Sequence, residues 1–370
     1  MSLSIGIVGL PNVGKSTLFN ALLKRQQALA ANYPFATIEP NIGVVDVPDE
    51  RLNDLVEVVK SEYGQRGDKE VPEKVIPAVV KFYDIAGLVK GASQGEGLGN
   101  QFLSHIREVD AIIQVVRAFS DPNVVRAGST DPENDVGVVN TELILADLQT
   151  LTKRIERFDS ELKKARTPEN IKKMEVYKKL LEILNKGELI SSAGLSEEEI
   201  LLSKDLNLLT SKPMIYVFNV NEGDMNTNIT QTTTSGFAKG VVLSAKIESE
   251  LSSLDESDAN AYMTELGVNQ SGLDKVIRTG YDLMGLQTFF TAGPKEVRAW
   301  TIKKGTKAPQ AAGVIHTDFE RGFISAEAID CDTLVKVGGW KKAKDSGYMR
   351  LEGKNYVMKD GDVVEFHFSV

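Results

Sequence analysis

The sequence predicts an α/β protein in three parts. They are a doubly wound, mainly parallel sheet, an α-helical hairpin inserted into it, and a small sheet-rich domain at the C-terminal end. Three observations predict this. Short apolar runs alternate with helix-compatible segments from Ile5 to Val116 and again from Met214 to Leu243, the pattern of parallel strands joined by helical crossovers. Between these stretches the apolar residues fall into heptad spacing. From about Leu286 they alternate, as half-buried strands do. The expected boundaries are 1–127 with 200–284 for the sheet domain, 128–199 for the insertion and 285–370 for the terminal domain.

The first strand is Ile5-Gly6-Ile7-Val8, followed by Gly9-x4-Gly14-Lys15-Ser16-Thr17 and a helix-compatible Leu18 to Leu23. Strand, glycine-rich loop and helix in this order make a phosphate-binding P-loop. Glycines let the backbone wrap close to oxygen atoms, and the helix start adds positive potential. Asn12, Val13, Gly14, Lys15, Ser16 and Thr17 are therefore the phosphate-binding candidates. Lys15 is placed to reach the β- and γ-phosphates, and the Ser16 hydroxyl to ligate Mg²⁺. These motifs indicate a P-loop NTPase domain.

Next comes Asn32 to Pro40, where two prolines exclude a helix. Thr37 is the hydroxyl placed there to meet Mg²⁺. Asn41–Val47 reads as a strand, Arg51–Val59 as an amphipathic helix and 61–74 as a polar connection. Val79–Tyr83 is a strand ending in Asp84-Ile85-Ala86-Gly87. Asp84 would support Mg²⁺, and the Gly87 N–H would sense the γ-phosphate. Gly91 to Gly99, with four glycines in nine residues, reads as a switch loop. Leu88 stands where many GTPases place a water-orienting glutamine, and a leucine cannot hydrogen-bond water. Asn100–Val109 reads as a helix and Ala111–Val116 as a buried strand containing Gln114.

Asp121-Pro122 and Ser129–Pro132 read as loop punctuation, with a long helix from Thr141. Leu148, Leu151, Ile155, Phe158 and Leu162 form a heptad seam. Thr167 and Pro168 break it as N-cap and first residue of a second arm, whose seam is Met174, Tyr177, Leu181 and Leu184. This hairpin is either a rigid spacer or a docking arm. Strands resume at Met214–Phe218 and Gly240–Leu243, leading into Asn219-Val220-Asn221-Glu222 and Ser244-Ala245-Lys246. These are the two places where a GTPase-type fold reads its base. Guanine readers carry Asn-Lys-x-Asp. Here the lysine is absent and the carboxylate is one methylene longer, which damages guanine recognition. Asn219 is expected to pair with adenine N6 and N7. The base therefore tilts toward ATP. In the terminal domain 288–291, 296–302, 334–337 and 362–368 read as strands, with one helix near 317–324.

Composition bounds the remaining choices. The 370 residues are 42% hydrophobic and 26% charged, an ordinary globular balance. Cys331 is the single cysteine, which excludes an internal disulfide, and His105, His316 and His367 have no metal-ligand spacing. The net charge of −9 argues against a simple DNA-binding protein. The charge is uneven: residues 151–190 carry +4 and 286–370 carry +2, leaving −15 on the rest. Mildly basic appendages on an acidic body suit docking onto RNA-rich surfaces. No signal peptide or membrane span is read, so a cytoplasmic chain is expected.

The chain resembles the YchF subfamily of Obg-related P-loop proteins (the Ola-like ATPases) over essentially its whole length. Four stretches carry the resemblance: Gly9 to Ser16, Asp84 to Ala92, Asn219-x-x-Glu222, and Ala308 to Phe319 in a part similar to the β-grasp-like TGS domain. The resemblance implies ATP hydrolysis in preference to GTP, ribosome association, a helical coiled-coil insertion, and a hydrophobic residue in place of the catalytic glutamine, as Leu88 is here. It also implies contact with rRNA or tRNA through the insertion and the TGS domain, in a monomer. Family mechanisms invoke a histidine at the position of Gln114, so the departure leaves Gln114 to position water or leaves that role unfilled. Asn12 occupies the place of a K⁺-binding asparagine in potassium-activated relatives. An Obg-type GTPase and a nucleotide-gated adaptor with incidental hydrolysis are the alternatives.

Overall fold

The computed structural model describes residues 3–29, 41–64, 71–85, 98–225 and 240–369. Strand β1 (Ser4–Val8) is buried along its whole length. Further along the chain come β2 (Ile42–Asp46), β3 (Lys74–Ile76), β4 (Val79–Asp84) and β5 (Ala111–Arg117), then β6 (Met214–Asn219) and β7 (Gly240–Leu243). Six of these form one sheet in the order β2-β4-β1-β5-β6-β7. β1 lies parallel to β4 and β5, with Ile7 opposite Asp84 and Val8 opposite Gln114. β5, β6 and β7 continue in parallel. The near-continuous apolar runs of β1 and β5 follow from being covered on both faces. Parallel register also has a functional consequence. Val8, Asp84, Arg117, Asn219 and Leu243 all end at one edge, so the loops after them meet there.

Helix α1 (Lys15–Leu29) leaves the P-loop directly, and α2 (Glu50–Tyr63) is capped by Asp49, whose carboxylate accepts from the Arg51 N–H at 3.2 Å. α3 (Leu98–Glu108) leads into β5. α4 is a single helix from Pro132 to Lys164, of 33 residues, starting earlier than the sequence suggests. Asp131 is its N-cap and Pro132 its first residue, so the proline opens the helix instead of closing a loop. Its first turns pack Val136 against Val116 and Phe218 of the sheet.

Beyond the sheet, α4 pairs with α5 (Pro168–Asn185), whose N-cap is Thr167 as the sequence implies. The expected seam residues of both arms lie in one hydrophobic cluster, with Leu151, Phe158, Met174, Tyr177 and Leu184 buried in it. Leu180 joins them. The Phe158 and Tyr177 rings sit 5.5 Å apart. α6 (Glu197–Ser203) opens with a capping box between Ser196 and Glu199. The chain returns to the sheet past Asp147, which is fully buried and accepts from the N–H groups of Leu209 (2.9 Å) and Thr210 (2.7 Å) and from the Thr210 hydroxyl (2.7 Å).

By contacts the described chain divides into two compact units, Met1–Val45 with Lys81–Val276 and Asp46–Val80 with Ile277–Val370. The second unit is built on β8 (Leu286–Ala292), β9 (Glu296–Lys303), β10 (Phe323–Asp330), β11 (Arg350–Glu352) and β12 (Asp362–Phe368), in the order β11-β10-β12-β8-β9-β3. Residues 46–80 thus group with the terminal part, although their place in the sequence suggests the sheet domain. The cause is β3, which pairs in parallel with β9. Two other expectations change. Residues 334–337 lie in a helix, Cys331–Val337, because Asp330 caps its start and Gly338 ends it in the left-handed region. The helix expected near 317–324 stops at Arg321, and Phe323 and Ile324 open β10, which is antiparallel to β12. A separate helix, Ala308–Ile315, packs its alanines under the sheet beside Phe289. Among the described residues no helix is long and apolar enough to cross a membrane.

Candidate nucleotide-binding site

The loop after β1 takes its shape from two glycines. Gly9 has φ +151°, and a Cβ there would stand 2.5 Å from the Val115 carbonyl oxygen. Gly14 has φ +100°, and a Cβ there would run into the Asn219 amide. Any side chain at Gly14 would push two motifs apart. Asn12, at the loop tip, adopts φ 60°, which asparagine tolerates better than most residues. Its amide donates to the Val125 carbonyl at 3.2 Å.

Lys15 is 8% exposed, and its ammonium donates to the Leu10 carbonyl at 2.7 Å. Burial pushes it down to about 8, against the pull of the Asp84 charge. The Ser16 hydroxyl donates to Asp84 at 3.3 Å. Burial raises the Asp84 carboxyl, opposed by that hydrogen bond and by Lys15. The two metal candidates from distant motifs are thus in contact. A hydroxyl and a carboxylate are hard oxygen donors, and this carboxylate bears a desolvation cost that a divalent cation would relieve. The donor set fits Mg²⁺. Thr37, Gly87 and Leu88, and the loop 91–97, lie outside the described residues.

Asn219 ends β6, is 6% exposed, and joins three motifs. Its amide donates to the Val13 carbonyl at 3.0 Å and its oxygen accepts from the Ala245 N–H at 2.9 Å. This amide serves as a brace between the P-loop and the strand ends, using one N–H and one oxygen lone pair and leaving the others for the adenine pairing expected of Asn219. Around it opens a cavity of about 640 Å³. Gly14, Thr17, Val220, Glu222, Ser244, Ala245 and Lys246 line it, as the sequence implies. Glu222 and Lys246 are exposed at its rim, whereas Ser244 and Ala245 are buried.

Gln114 is elsewhere. It is 1% exposed inside β5 and its amide donates to the Val136 carbonyl of α4 at 3.4 Å. A side chain sealed against a helix cannot orient a solvent water at the phosphates, so the catalytic role expected for it is withdrawn. Sequence reasoning also missed residues. Phe119, Ser120, Asp121 and Val124 form the opposite wall of the cavity, and Asn221 lines it as well. A loop after a strand, with no motif of its own, carries no signal for this.

This arrangement, with β1 leading into the loop and the base-reading strand ends on the same edge, has close counterparts. A family model described as "50S ribosome-binding GTPase" matches residues 4–220, and one described as "YchF-GTPase_C: Protein of unknown function (DUF933)" matches 286–369. The protein named ribosome-binding ATPase YchF of Bacillus subtilis (strain 168) is 50% identical over the whole of both chains. The chain belongs to the YchF family. The Haemophilus influenzae protein of that name is 48% identical, again over both full lengths. The solved Schizosaccharomyces pombe YchF GTPase matches with a TM-score of 0.86 at 37% identity, covering 99% of this chain and 98% of that one. The family resemblance read from the sequence, and its α/β P-loop fold, are borne out.

Proposed function

We propose that this chain is an ATP-binding and ATP-hydrolysing P-loop switch that associates with the ribosome according to its bound nucleotide. One observation carries the reading. Asn219 pins the phosphate loop to both base-reading strand ends around a single cavity, and the motif in that place, Asn219-Val220-Asn221-Glu222, lacks the lysine and aspartate of guanine readers. The relatives' names support the ribosome and ATP. The residues 128–199 and 285–370 are the surfaces we assign to rRNA or tRNA contact, in a cytoplasmic monomer.

Phosphates are held by Asn12 to Thr17, and the base by Asn219, Val220, Glu222 and Ser244 to Lys246. Ser16, Thr37 and Asp84 hold Mg²⁺. Bound there, the metal would supply positive charge that offsets the negative charge of the phosphates. The Lys15 ammonium exchanges its carbonyl partner for phosphate oxygen, where it neutralises developing charge. The Gly87 N–H senses the γ-phosphate. Asn12 also holds K⁺ in this reading, and equal turnover in K⁺ and Na⁺ buffers would remove that element.

The test is equilibrium competition between ATP and GTP, with turnover measured for both in Mg²⁺. ATP should bind more tightly, and much tighter GTP binding would overturn the assignment. Ribosome co-sedimentation with ADP, with a non-hydrolysable ATP analogue and without nucleotide tests the gating. Identical pelleting in all three conditions would refute it. Guanine specificity is the competing reading, and the word GTPase in the descriptions of the matching family model and the fission-yeast relative favours it.

A further inference from the structure

Arg117 ends β5 and is 3% exposed. Among the described residues no carboxylate forms an ion pair with it. Its charge is met by backbone. Nε donates to the Phe119 carbonyl at 3.4 Å. Nη1 donates to Val124 (3.2 Å) and Val125 (3.3 Å), and Nη2 to Asp121 (3.3 Å) and Val124 (3.2 Å). A guanidinium has five N–H groups, and all are used on one short loop. The same guanidinium lies 4.3 Å from the centre of the Phe119 ring. Burying a cation is costly, and this one recovers that cost by drawing four carbonyls toward itself.

That loop is the wall of the cavity opposite Val220 and Ser244 to Lys246. Its carbonyls are turned to Arg117, so Phe119 and Val124 line the cavity from a segment whose backbone acceptors are already engaged. Asn221 completes the arrangement from the other side. Its oxygen accepts from the Ser120 N–H at 2.9 Å and its amide donates to the Ser120 carbonyl at 3.2 Å. The P-loop touches the same wall through Asn12 and Val125.

We propose that Arg117, with Asn221, is a positioning residue for base recognition, holding residues 119–125 so that the Phe119 ring and Val124 meet the flat face of a purine. It rests on the assignment of this cavity to the nucleotide base. The wall selects by contact area and the strand ends 220–222 and 244–246 by hydrogen bonding. A two-ring base gains more from an aromatic wall than a one-ring base does.

The experiment measures dissociation constants for ATP and CTP on the wild-type chain and on Arg117→Ala, Arg117→Lys and Asn221→Ala, with thermal melting to verify folding. Arg117→Ala should weaken ATP by about tenfold or more, from the loss of several charge-assisted hydrogen bonds, and should weaken CTP less. Preference for the purine therefore collapses. Arg117→Lys should recover only part of it, since an ammonium has three donors and no planar fork. Asn221→Ala alters an exposed side chain and should show the same loss of preference in a folded protein, even if Arg117→Ala does not fold. Equal weakening of both nucleotides, or unchanged affinity for ATP, would overturn the proposal. A wild-type chain that binds neither nucleotide would instead overturn the assignment of the cavity itself.

Discussion

At the edge of the parallel sheet, Lys15, Arg117 and Asn219 spend their side chains on main-chain groups of the loops around them, and each is buried. In the helical hairpin, Lys172, Lys173 and Lys179 meet the carboxylates of Glu198, Asp205 and Glu199 at the surface. The two regions use similar numbers of polar side chains toward different ends. A buried side chain bonded to backbone fixes where a loop runs, and its removal leaves unpaired groups with no water nearby. A surface ion pair fixes little, because water substitutes for either partner. The hairpin is held instead by its seam around Leu151, Phe158 and Tyr177. The chain thus concentrates its positional demands where a nucleotide would be read.

That contrast can be broken by experiment. The largest effect should come from Lys15→Ala, which should reduce ATP turnover by about a thousandfold or more while leaving circular dichroism unchanged. Chelating Mg²⁺ with EDTA should have a similar effect. If either condition left more than a tenth of the turnover, the phosphate end would not be the centre of the activity. Next in size is Asp147→Ala, which strands the Leu209 and Thr210 N–H groups and the Thr210 hydroxyl. It should lower stability by about 3 kcal/mol in denaturant titration. Leu151→Ala, fully buried in the seam, should cost about 3 kcal/mol by leaving a cavity. It should leave ATP affinity untouched, and a parallel loss of affinity would show that the two regions are not separable. Smallest is Lys172→Ala, whose removal should change stability by no more than about 0.5 kcal/mol. A larger loss would mean that the surface pairs do hold the arm.

Much of this organisation was legible from the chain. The P-loop, Asp84, the strand ends at Asn219 and Leu243, and both arms of the hairpin announce themselves because local periodicity and turn chemistry determine them. Thr167 with Pro168 is a local signal flanked by heptad seams on both sides, whereas Asp131 with Pro132 has the same chemistry but no seam beside it to mark it as a helix start. The misassigned strand at 334–337 is a four-residue apolar run, too short for period to separate helix from strand. β3 and the cavity wall at 119–124 were out of reach for another reason. β3 depends on a strand far along the chain, and the wall on Asn221 as well as on the adjacent Arg117, and neither composition nor spacing records those pairings. Gln114 illustrates the opposite error. Only the resemblance, through a histidine that family mechanisms invoke at its position, suggests chemistry for it, while its side chain is directed at Val136.

The unbroken course of α4 has a mechanical consequence. Its first turns lie on the sheet that carries the nucleotide site, and its last turns form one side of the hairpin. No loop or hinge separates the two, so the helix acts as a lever with its fulcrum on the sheet. From Leu148 to Lys164 the free arm is about 25 Å long at the usual rise per residue. A tilt of about 5° at the fulcrum would carry its tip by about 2 Å, enough to break or make a hydrogen bond. Small displacements of the sheet beneath Val136 would thereby be magnified at the far end of a stiff rod.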